Sequence, residues 1–448
     1  MSHKQPQIIY PTLDLFLYDL RSGLGGTAAE IELCRTSFGQ KFPAEIRSDL
    51  FKQDSTFDVE YAELLKPANR RFKASRDSYS LEGYHYPVRL GDSYGLLLDC
   101  SVDNLTVPQP VAAFSVLKEE IAAQLNEQHA TLGQSWLLSA IVPDPEPQKL
   151  EKIAQSCYKA LVPEGNWTQD LGERQGQFLG GAIFETQRYR LVMKEGTTDV
   201  GNIQDIQDSQ HVVIILYPNE AAARKAARFY GNWLRLFYYR HKILWCYGQS
   251  RLLKSRLSNY FINIQASLKL LRQKGSQNLD LQQLQGTLGR VQDTLTPYTI
   301  DLSLLDFQSQ TIKTNLGNYQ KRQQRIVKKA GEGSDLAFLE ELSAAATDNY
   351  QLQIQQDREK LAKGLELLDT SIRTLGSRVE VEKAKNEKVF QTLVSFWGLT
   401  VTIYGTSSNW LERLFALQGP EQMFWSVGIT AIAMVIATVG YNWKRQRF

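Results

Sequence analysis

Hydroxyl-bearing side chains recur on one face of a predicted membrane helix near the C-terminus. Thr392, Ser395, Leu399, Thr402 and Thr406 follow one another at spacings of three and four residues, which places them on one stripe of a helix. Around a symmetry axis, rings of hydroxyls would suit a hydrated ion path, and a ring of Leu399 would suit a dewetting constriction. The alternative is dry packing between helices through small and hydroxylic residues.

Two segments without charged residues must position this stripe. Residues 422–443 are long enough, at 1.5 Å per residue, to cross a hydrocarbon core of about 30 Å. Residues 389–411 also lack charges, and we place the first span at 389–405. Basic residues precede the first span and form the tail 444–448, so the positive-inside tendency predicts a hairpin with both termini cytoplasmic. The chain is thus expected to be a multi-pass membrane protein with two spans, joined by a short extracytoplasmic loop at 406–421.

Long helical patterns precede the hairpin. Residues 218–333 predict a bundle of long helices, with Pro297 interrupting the second of them. Residues 334–388 carry a heptad seam and predict a stalk helix, with Ser334 or Asp335 as its N-cap and the polar residues Glu382 and Asn386 at the stalk entrance. The seam favours a helical bundle or coiled coil over isolated helices.

Residues 1–217 predict a cytoplasmic domain of the α/β or α+β class, because short β-like runs alternate with helical segments. The segment GDSYG (91–95) predicts a hairpin turn between two of these strands. Asp14 and Asp19 interrupt the apolar run at the N-terminus, so that run lacks the core of a signal peptide. The strand order does not follow from the pattern.

Composition and motifs give little support to catalysis, metal binding or nucleic-acid binding. The net charge is +3, and the four cysteines form no CxxC pair. We therefore predict no enzyme, no catalytic residues, no metal site and no nucleic-acid partner. The segment 228–245 interleaves Arg, Lys and aromatic residues. Such a mixture could stack bases and hold phosphates, but its helical spacing favours an amphipathic face formed by Phe229, Trp233, Leu236, Tyr239 and Ile243.

The order of these elements resembles the CorA family of divalent-cation channels. The end of the first predicted span reads IYGTSSN (403–409). Tyr404 and Gly405 match the family's Tyr-Gly-Met-Asn turn, whereas Thr406 and Ser407 replace Met and Asn, and Asn409 follows two positions late. The resemblance implies a homopentamer whose first span lines the pore. In the family the missing Asn lines the site for hydrated magnesium, so the resemblance does not extend to magnesium selectivity.

Two functions follow as expectations. The first is a CorA-like homo-oligomer in the lipid bilayer, a cation channel or transporter gated by its cytoplasmic domain, with a divalent cation as permeant or regulatory ion and no cofactor. The alternative is a membrane-anchored sensor, scaffold or effector for signalling, whose cytoplasmic domain binds a protein or small ligand without ion conduction. The face formed by Thr392, Ser395, Leu399 and Thr402 discriminates between them, because only conduction requires that it line a wet axis.

Overall fold

The structure is a computed structural model of the chain. It describes residues 6–23, 26–52, 54, 60–142, 146–192, 206–273 and 281–383. The strands are β1 (Gln7–Leu20), β2 (Ala62–Glu63), β3 (Arg70–Arg76), β4 (Tyr79–Leu90), β5 (Ser93–Val102), β6 (Pro108–Pro110), β7 (Gly133–Ile141), β8 (Gln175–Phe178), β9 (Gly181–Leu191) and β10 (Gln207–Tyr217). The helices are α1 (Ala28–Gly39), α2 (Ala44–Arg47), α3 (Ala113–Gln124), α4 (Pro147–Leu161), α5 (Trp167–Leu171), α6 (Glu220–Ala226), α7 (Tyr230–Gln273), α8 (Leu281–Ala330), α9 (Glu340–Ala345) and α10 (Leu352–Lys383).

The strands form one mixed sheet, as the alternating sequence pattern predicts. The order along the sheet is β2-β4-β5-β1-β7-β10-β9-β8, with β3 paired to β4 and β6 paired to β1. The pair β7 and β10 is parallel, whereas the other recorded pairs are antiparallel. The predicted turn between β4 and β5 is confirmed, with Gly91 at φ +57° in the left-handed region that glycine adopts without strain.

The two faces of the sheet pack against different helices because side chains alternate along each strand. On β1, Leu13, Leu15 and Leu17 enter a large apolar core with residues of α1, α3, α4 and α5. Phe16 and Tyr18 point to the opposite face, where α7 lies: the Phe16 ring contacts Phe237 edge-on, and the Tyr18 hydroxyl donates to a carbonyl of α7. The polar residues considered below lie on this second face.

Helix α7 is more deeply enclosed than an amphipathic helix at a protein surface. All five residues of the predicted apolar face are buried, from Phe229 to Ile243, but Arg240, His241 and Lys242 are buried as well. The helix therefore carries buried polar groups that must find partners, because an unpaired buried polar group costs free energy.

The long helices predicted for the second half of the chain are present, with two differences from the sequence pattern. Pro297 does not interrupt α8, which runs through it over 50 residues; the proline only removes one donor from the helical ladder. The stalk segment begins with a 3-10 turn and the short helix α9, and a π-helical segment, Ala346–Gln351, precedes α10. Asp335 accepts a hydrogen bond from the Ala337 amide, as a cap does, whereas the Ser334 hydroxyl accepts one from the Leu179 amide.

The chain divides into two compact units. Of the described residues, the first unit contains the sheet, its helices and most of residues 28–258 and 300–361, and the second contains residues 259–273, 281–299 and 362–383. In the second unit, Gly364 lies where an added Cβ would meet the Tyr298 hydroxyl and the Phe261 ring, so close helix packing there requires glycine. Among the described residues, no helix combines the length and apolar character needed to cross a membrane.

Candidate functional site

Two aspartates face each other on neighbouring strands of the sheet. Asp14 of β1 and Asp99 of β5 are directly opposed in the antiparallel register. Asp14 is fully buried, and Asp99 is partly exposed. We call Asp14 and Asp99 the acid pair. Two carboxyl groups in such a position cannot both ionise without strong repulsion.

The two carboxyl groups of the acid pair interact electrostatically, which favours a state in which one of them carries a proton. Burial raises the pKa of Asp14 well above its usual range, and the neighbouring Asp99 charge raises it further. Burial also raises the pKa of Asp99 to about 7, because the contact with Asp14 and the charge of Arg71 offset it only in part. The pair therefore changes its protonation near neutral pH.

Tyrosines and one further acid surround the acid pair. Glu82 of β4 adds negative charge beside Asp99. Further groups within electrostatic range are Arg71 on β3, Tyr10 on β1, Tyr84 on β4, Cys100 on β5, Tyr217 on β10 and Tyr230 on α7. Burial, followed by the nearby carboxyl groups, raises the pKa of Tyr84, Tyr217 and Tyr230, so these hydroxyls stay protonated and act as donors.

One of these tyrosines attaches the acid pair to the long helix. Tyr230 is the first residue of α7, and its hydroxyl donates to Asp14 Oδ2 across 2.8 Å. The protonation state of the pair therefore decides whether this acceptor is a carboxylate or a carboxylic acid. A charged acceptor makes the stronger hydrogen bond, so the contact that holds the start of α7 changes with the charge of the pair.

A second polar cluster holds α7 about three turns further along the helix. We call Ser135, Glu185, His211 and His241 the histidine network. Ser135 Oγ lies 2.7 Å from His211 Nδ1 and 2.8 Å from His241 Nε2. His211 Nε2 lies 2.7 Å from Glu185 Oε1. Since β7, β9 and β10 supply the first three residues and α7 supplies His241, the network connects the sheet to the helix.

Both histidines of this network are neutral at physiological pH. Burial, together with the Arg240 charge, lowers the pKa of His211 to about 4, despite its contact with Glu185. Burial lowers the pKa of His241 further below the usual value, and the neighbouring His211 adds to this. Burial opposes ionisation of Glu185, but His211 and Arg240 outweigh it and lower the pKa of that carboxyl. One donor order fits: His241 to Ser135, Ser135 to His211, and His211 to Glu185.

Ser135, His211 and Glu185 have the connectivity of a hydrolase triad. Their side chains are nevertheless almost fully buried, with exposures of 0%, 1% and 4%. A substrate cannot reach the Ser135 hydroxyl in this arrangement. The geometry supports a structural role for the network, which holds α7 in place.

Buried ion pairs connect α7 to the other two long helices within the same unit. Arg251 Nη1 lies 2.5 Å and Lys254 Nζ lies 3.0 Å from the two oxygens of Asp357 on α10. Arg256 Nη2 lies 2.5 Å from Asp301 on α8. A displacement of α7 would therefore strain contacts with both α8 and α10.

The residues singled out from the sequence lie largely outside the described residues. This holds for the predicted pore stripe and turn, and for Asn386, whereas Glu382 lies at the end of α10. The predictions that depend on them stay predictions. Within the described ranges, no group of three or more His, Cys, Asp or Glu side chains has the arrangement of a metal site.

The acid pair and the histidine network were not identified from the sequence. Their residues lie far apart in the chain, and only the strand register brings them together. A weak signal existed at Asp14, one of two aspartates inside a largely apolar strand. A charge at such a position needs a partner, and the partner could not be named without the register.

Comparison of the chain with protein-family models, with curated proteins and with solved structures finds no match in any of the three.

Proposed function

We propose that the chain is a membrane-anchored, self-associating sensor. Its N-terminal sheet domain responds to protons at the acid pair and acts through α7 on a C-terminal hairpin in the bilayer. The observation that carries the proposal is the hydrogen bond from Tyr230 to Asp14, because it makes the first turn of α7 part of the titrating site.

Protonation would act by changing the charge between two strands and one helix. While one of the two carboxyl groups carries a proton, Asp14 and Asp99 do not repel each other as two charges. Once both are ionised, two carboxylates face each other with Glu82 close by, and the charge of Arg71 offsets the raised pKa of Asp99 only in part. Relief of this repulsion requires a shift of the strand faces or of Tyr230.

The helices supply a route from this site towards the C-terminus. Helix α7 is continuous over 44 residues, and its ion pairs with Asp301 and Asp357 engage α8 and α10. Helix α10 ends at Lys383, six residues before the first predicted span. Coupling by packed helices and ion pairs needs two discrete arrangements of such an element, and the titration of the acid pair provides a reason for two.

The membrane part of the proposal is supported by the sequence pattern. Residues 422–443 carry no charge and are followed at once by a basic tail, and residues 389–405 form a second uncharged segment. Two basic flanks on one side of the membrane fit a hairpin.

Hydrogen–deuterium exchange on the full chain tests the proposal. Peptides that cover the first turns of α7 should exchange at different rates at pH 6 and pH 8, after correction for the intrinsic pH dependence of exchange. Asp99→Asn should remove this difference. Asp103→Asn is the matched control, because Asp103 pairs only with the exposed Lys73 at the surface. Equal corrected exchange at the two pH values in the unsubstituted chain would refute the proposal.

Cation conduction is a second candidate function, favoured by the stripe Thr392, Ser395, Leu399 and Thr402. A wet axis lined by these side chains would conduct, and Leu399 would form its constriction. Flux into proteoliposomes that contain the full chain tests this. Leu399→Ala should increase the flux of a monovalent or divalent cation, whereas Leu417→Ala in the predicted outer loop should leave it unchanged. Absence of flux from both the unsubstituted chain and Leu399→Ala would contradict cation conduction and would not affect the sensor proposal.

A further inference from the structure

Two helical stretches carry many cations and no acidic residue. The chain has no Asp or Glu from residue 221 to residue 279, and none from 307 to 331. Within these stretches, the segment Arg228 to Tyr239 and the C-terminal third of α8 run side by side. Lys329 donates to the Arg228 carbonyl, and Arg322 Nη1 donates to Asn232 Oδ1 across 3.3 Å. We call the contact between these two segments the seam. Positive charge accumulates along the seam, and neither segment contributes a carboxylate to it.

Three arginines converge on the seam. Arg235 comes from α7, and Arg322 and Arg325 come from α8; we call these three residues the arginine cluster. The charges of Arg235 and Arg325 act on Arg322, which is 8% exposed. Burial and these two charges lower the pKa of Arg322, although the Tyr239 hydroxyl opposes the shift. The repulsion between like charges around a buried guanidinium costs free energy unless an anion offsets it.

The partners recorded for the cluster do not neutralise it. Arg322 donates to the side-chain oxygen of Asn232 and contacts Tyr239, and the Arg235 guanidinium lies 4.2 Å over the Tyr61 ring. None of the three arginines pairs with a carboxylate in the part of the chain that the structure describes. Glu60 acts on Tyr239 from the edge of the cluster. The positive charge of a buried guanidinium is not balanced when its partners are an amide and a phenol.

We propose that the arginine cluster binds a phosphate-bearing anion. Guanidinium groups match phosphate oxygens in pairs, and three of them suit a group that carries two negative charges and several acceptors. Tyr61 and Tyr239 add aromatic surface beside the phosphate position. A free phosphorylated metabolite and a phospholipid headgroup share this chemistry. The site is separate from the acid pair and does not depend on the function proposed for it.

Calorimetric titration of the full chain with inorganic pyrophosphate tests the proposal. The chain is reconstituted in nanodiscs of a zwitterionic lipid, so that the bilayer carries no net charge. Saturable binding in the micromolar to low millimolar range is expected. Arg325→Gln, at an exposed position, should weaken binding about tenfold, the effect of one lost charge-assisted hydrogen bond. Lys313→Gln removes the same charge from an exposed position earlier on α8 and should leave binding unchanged.

The source of the phosphate is decided by a second titration in nanodiscs that contain phosphatidic acid. Weaker apparent binding of pyrophosphate in these discs identifies a lipid headgroup as the occupant, and unchanged binding identifies a soluble phosphate. Either result supports the site. No saturable binding in zwitterionic discs, or equal binding by the unsubstituted chain, Arg325→Gln and Arg235→Gln, would overturn the proposal.

Discussion

Tyr230 and Asp14 are 216 residues apart in the chain, yet the tyrosine hydroxyl donates to the aspartate carboxyl across 2.8 Å. The contact joins the start of α7, a helix of 44 residues, to the middle of β1. Because Asp14 lies opposite Asp99, whose pKa is raised to about 7, the helix is attached to a pair whose charge changes near neutral pH. The predictions below follow from this attachment and from the polar contacts that continue it along α7.

Asp99→Asn is expected to stabilise the fold in a pH-dependent way. The unfolded chain ionises an aspartate near its usual pKa of about 4, whereas Asp99 in the fold ionises near 7. Its contribution to stability is therefore full below about pH 4 and is lost as the pH rises through about 7. Urea unfolding should show that Asp99→Asn is more stable than the unsubstituted chain by roughly 1–3 kcal/mol at pH 8, with little difference at pH 4.

The control variant Asp103→Asn should have nearly the same free energy of unfolding as the unsubstituted chain at both pH values, since an exposed ion pair contributes little. If Asp99→Asn increased the free energy of unfolding equally at pH 4 and pH 8, the result would contradict a raised pKa of Asp99 in the fold.

Ser135→Ala is expected to destabilise the sheet domain at pH 7. The substitution leaves His211 Nδ1 and His241 Nε2 without their common partner in a fully buried position. The expected loss is about 1–3 kcal/mol in the free energy of unfolding, the cost of unsatisfied buried polar groups. Ser48→Ala removes a serine hydroxyl at an exposed position and should cost little by comparison. Equal stability of the two variants would show that the histidine network does not hold α7.

His211→Gln should change the acid sensitivity of the fold in the direction opposite to Asp99→Asn. A histidine in the unfolded chain has a pKa of about 6.5, whereas His211 in the fold has a pKa of about 4. The unfolded chain therefore binds the proton first, and stability is lost as the pH falls from about 6.5 towards 4. His211→Gln should lose less stability than the unsubstituted chain between pH 7 and pH 4.5, measured by urea unfolding. A larger acid loss in the variant would contradict a buried neutral histidine.

Asp357→Asn is expected to loosen the contact between α7 and α10. The buried Arg251 would lose its charged partner, and Lys254 would lose the other carboxylate oxygen. Removal of one member of a buried ion pair costs about 3–5 kcal/mol. Asp306→Asn is the matched control, because the Asp306–Arg358 pair connects α8 and α10 at an exposed position. Thermal unfolding of the two variants should differ clearly; similar melting temperatures would mean that the buried pair does not stabilise this contact.

The class of the N-terminal domain and the presence of long helices could be predicted, because both follow from local periodicity. The alternation of short apolar runs with helical segments indicates a mixed sheet with helices. The prediction at Pro297 was wrong because one missing donor in a 50-residue helix is a small loss when the helix is held by packing on both sides of that residue. Side chains alternate between the two faces of β1, which explains why Asp14 lies opposite the core face that Leu13, Leu15 and Leu17 enter.

The polar sites could not be predicted from the chain. Asp14 and Asp99 meet only through the register of β1 and β5, and Ser135 and His241 meet only because α7 crosses the face of the sheet. The arginine cluster gave a partial signal, since the mixture of Arg, Lys and aromatic residues at 228–245 is visible in the sequence. Its partners Arg322 and Arg325 come from another helix, so neither the number of converging charges nor the lack of carboxylates could be inferred.

The measurement that tests the sensor most directly is hydrogen–deuterium exchange of the full chain in lipid nanodiscs at pH 6 and pH 8, followed at residues 389–405. After correction for intrinsic rates, the protection of this segment should differ between the two pH values in the unsubstituted chain, and Asp99→Asn should remove the difference. Equal protection at both pH values, or a difference that persists in Asp99→Asn, would contradict control of the hairpin by the acid pair.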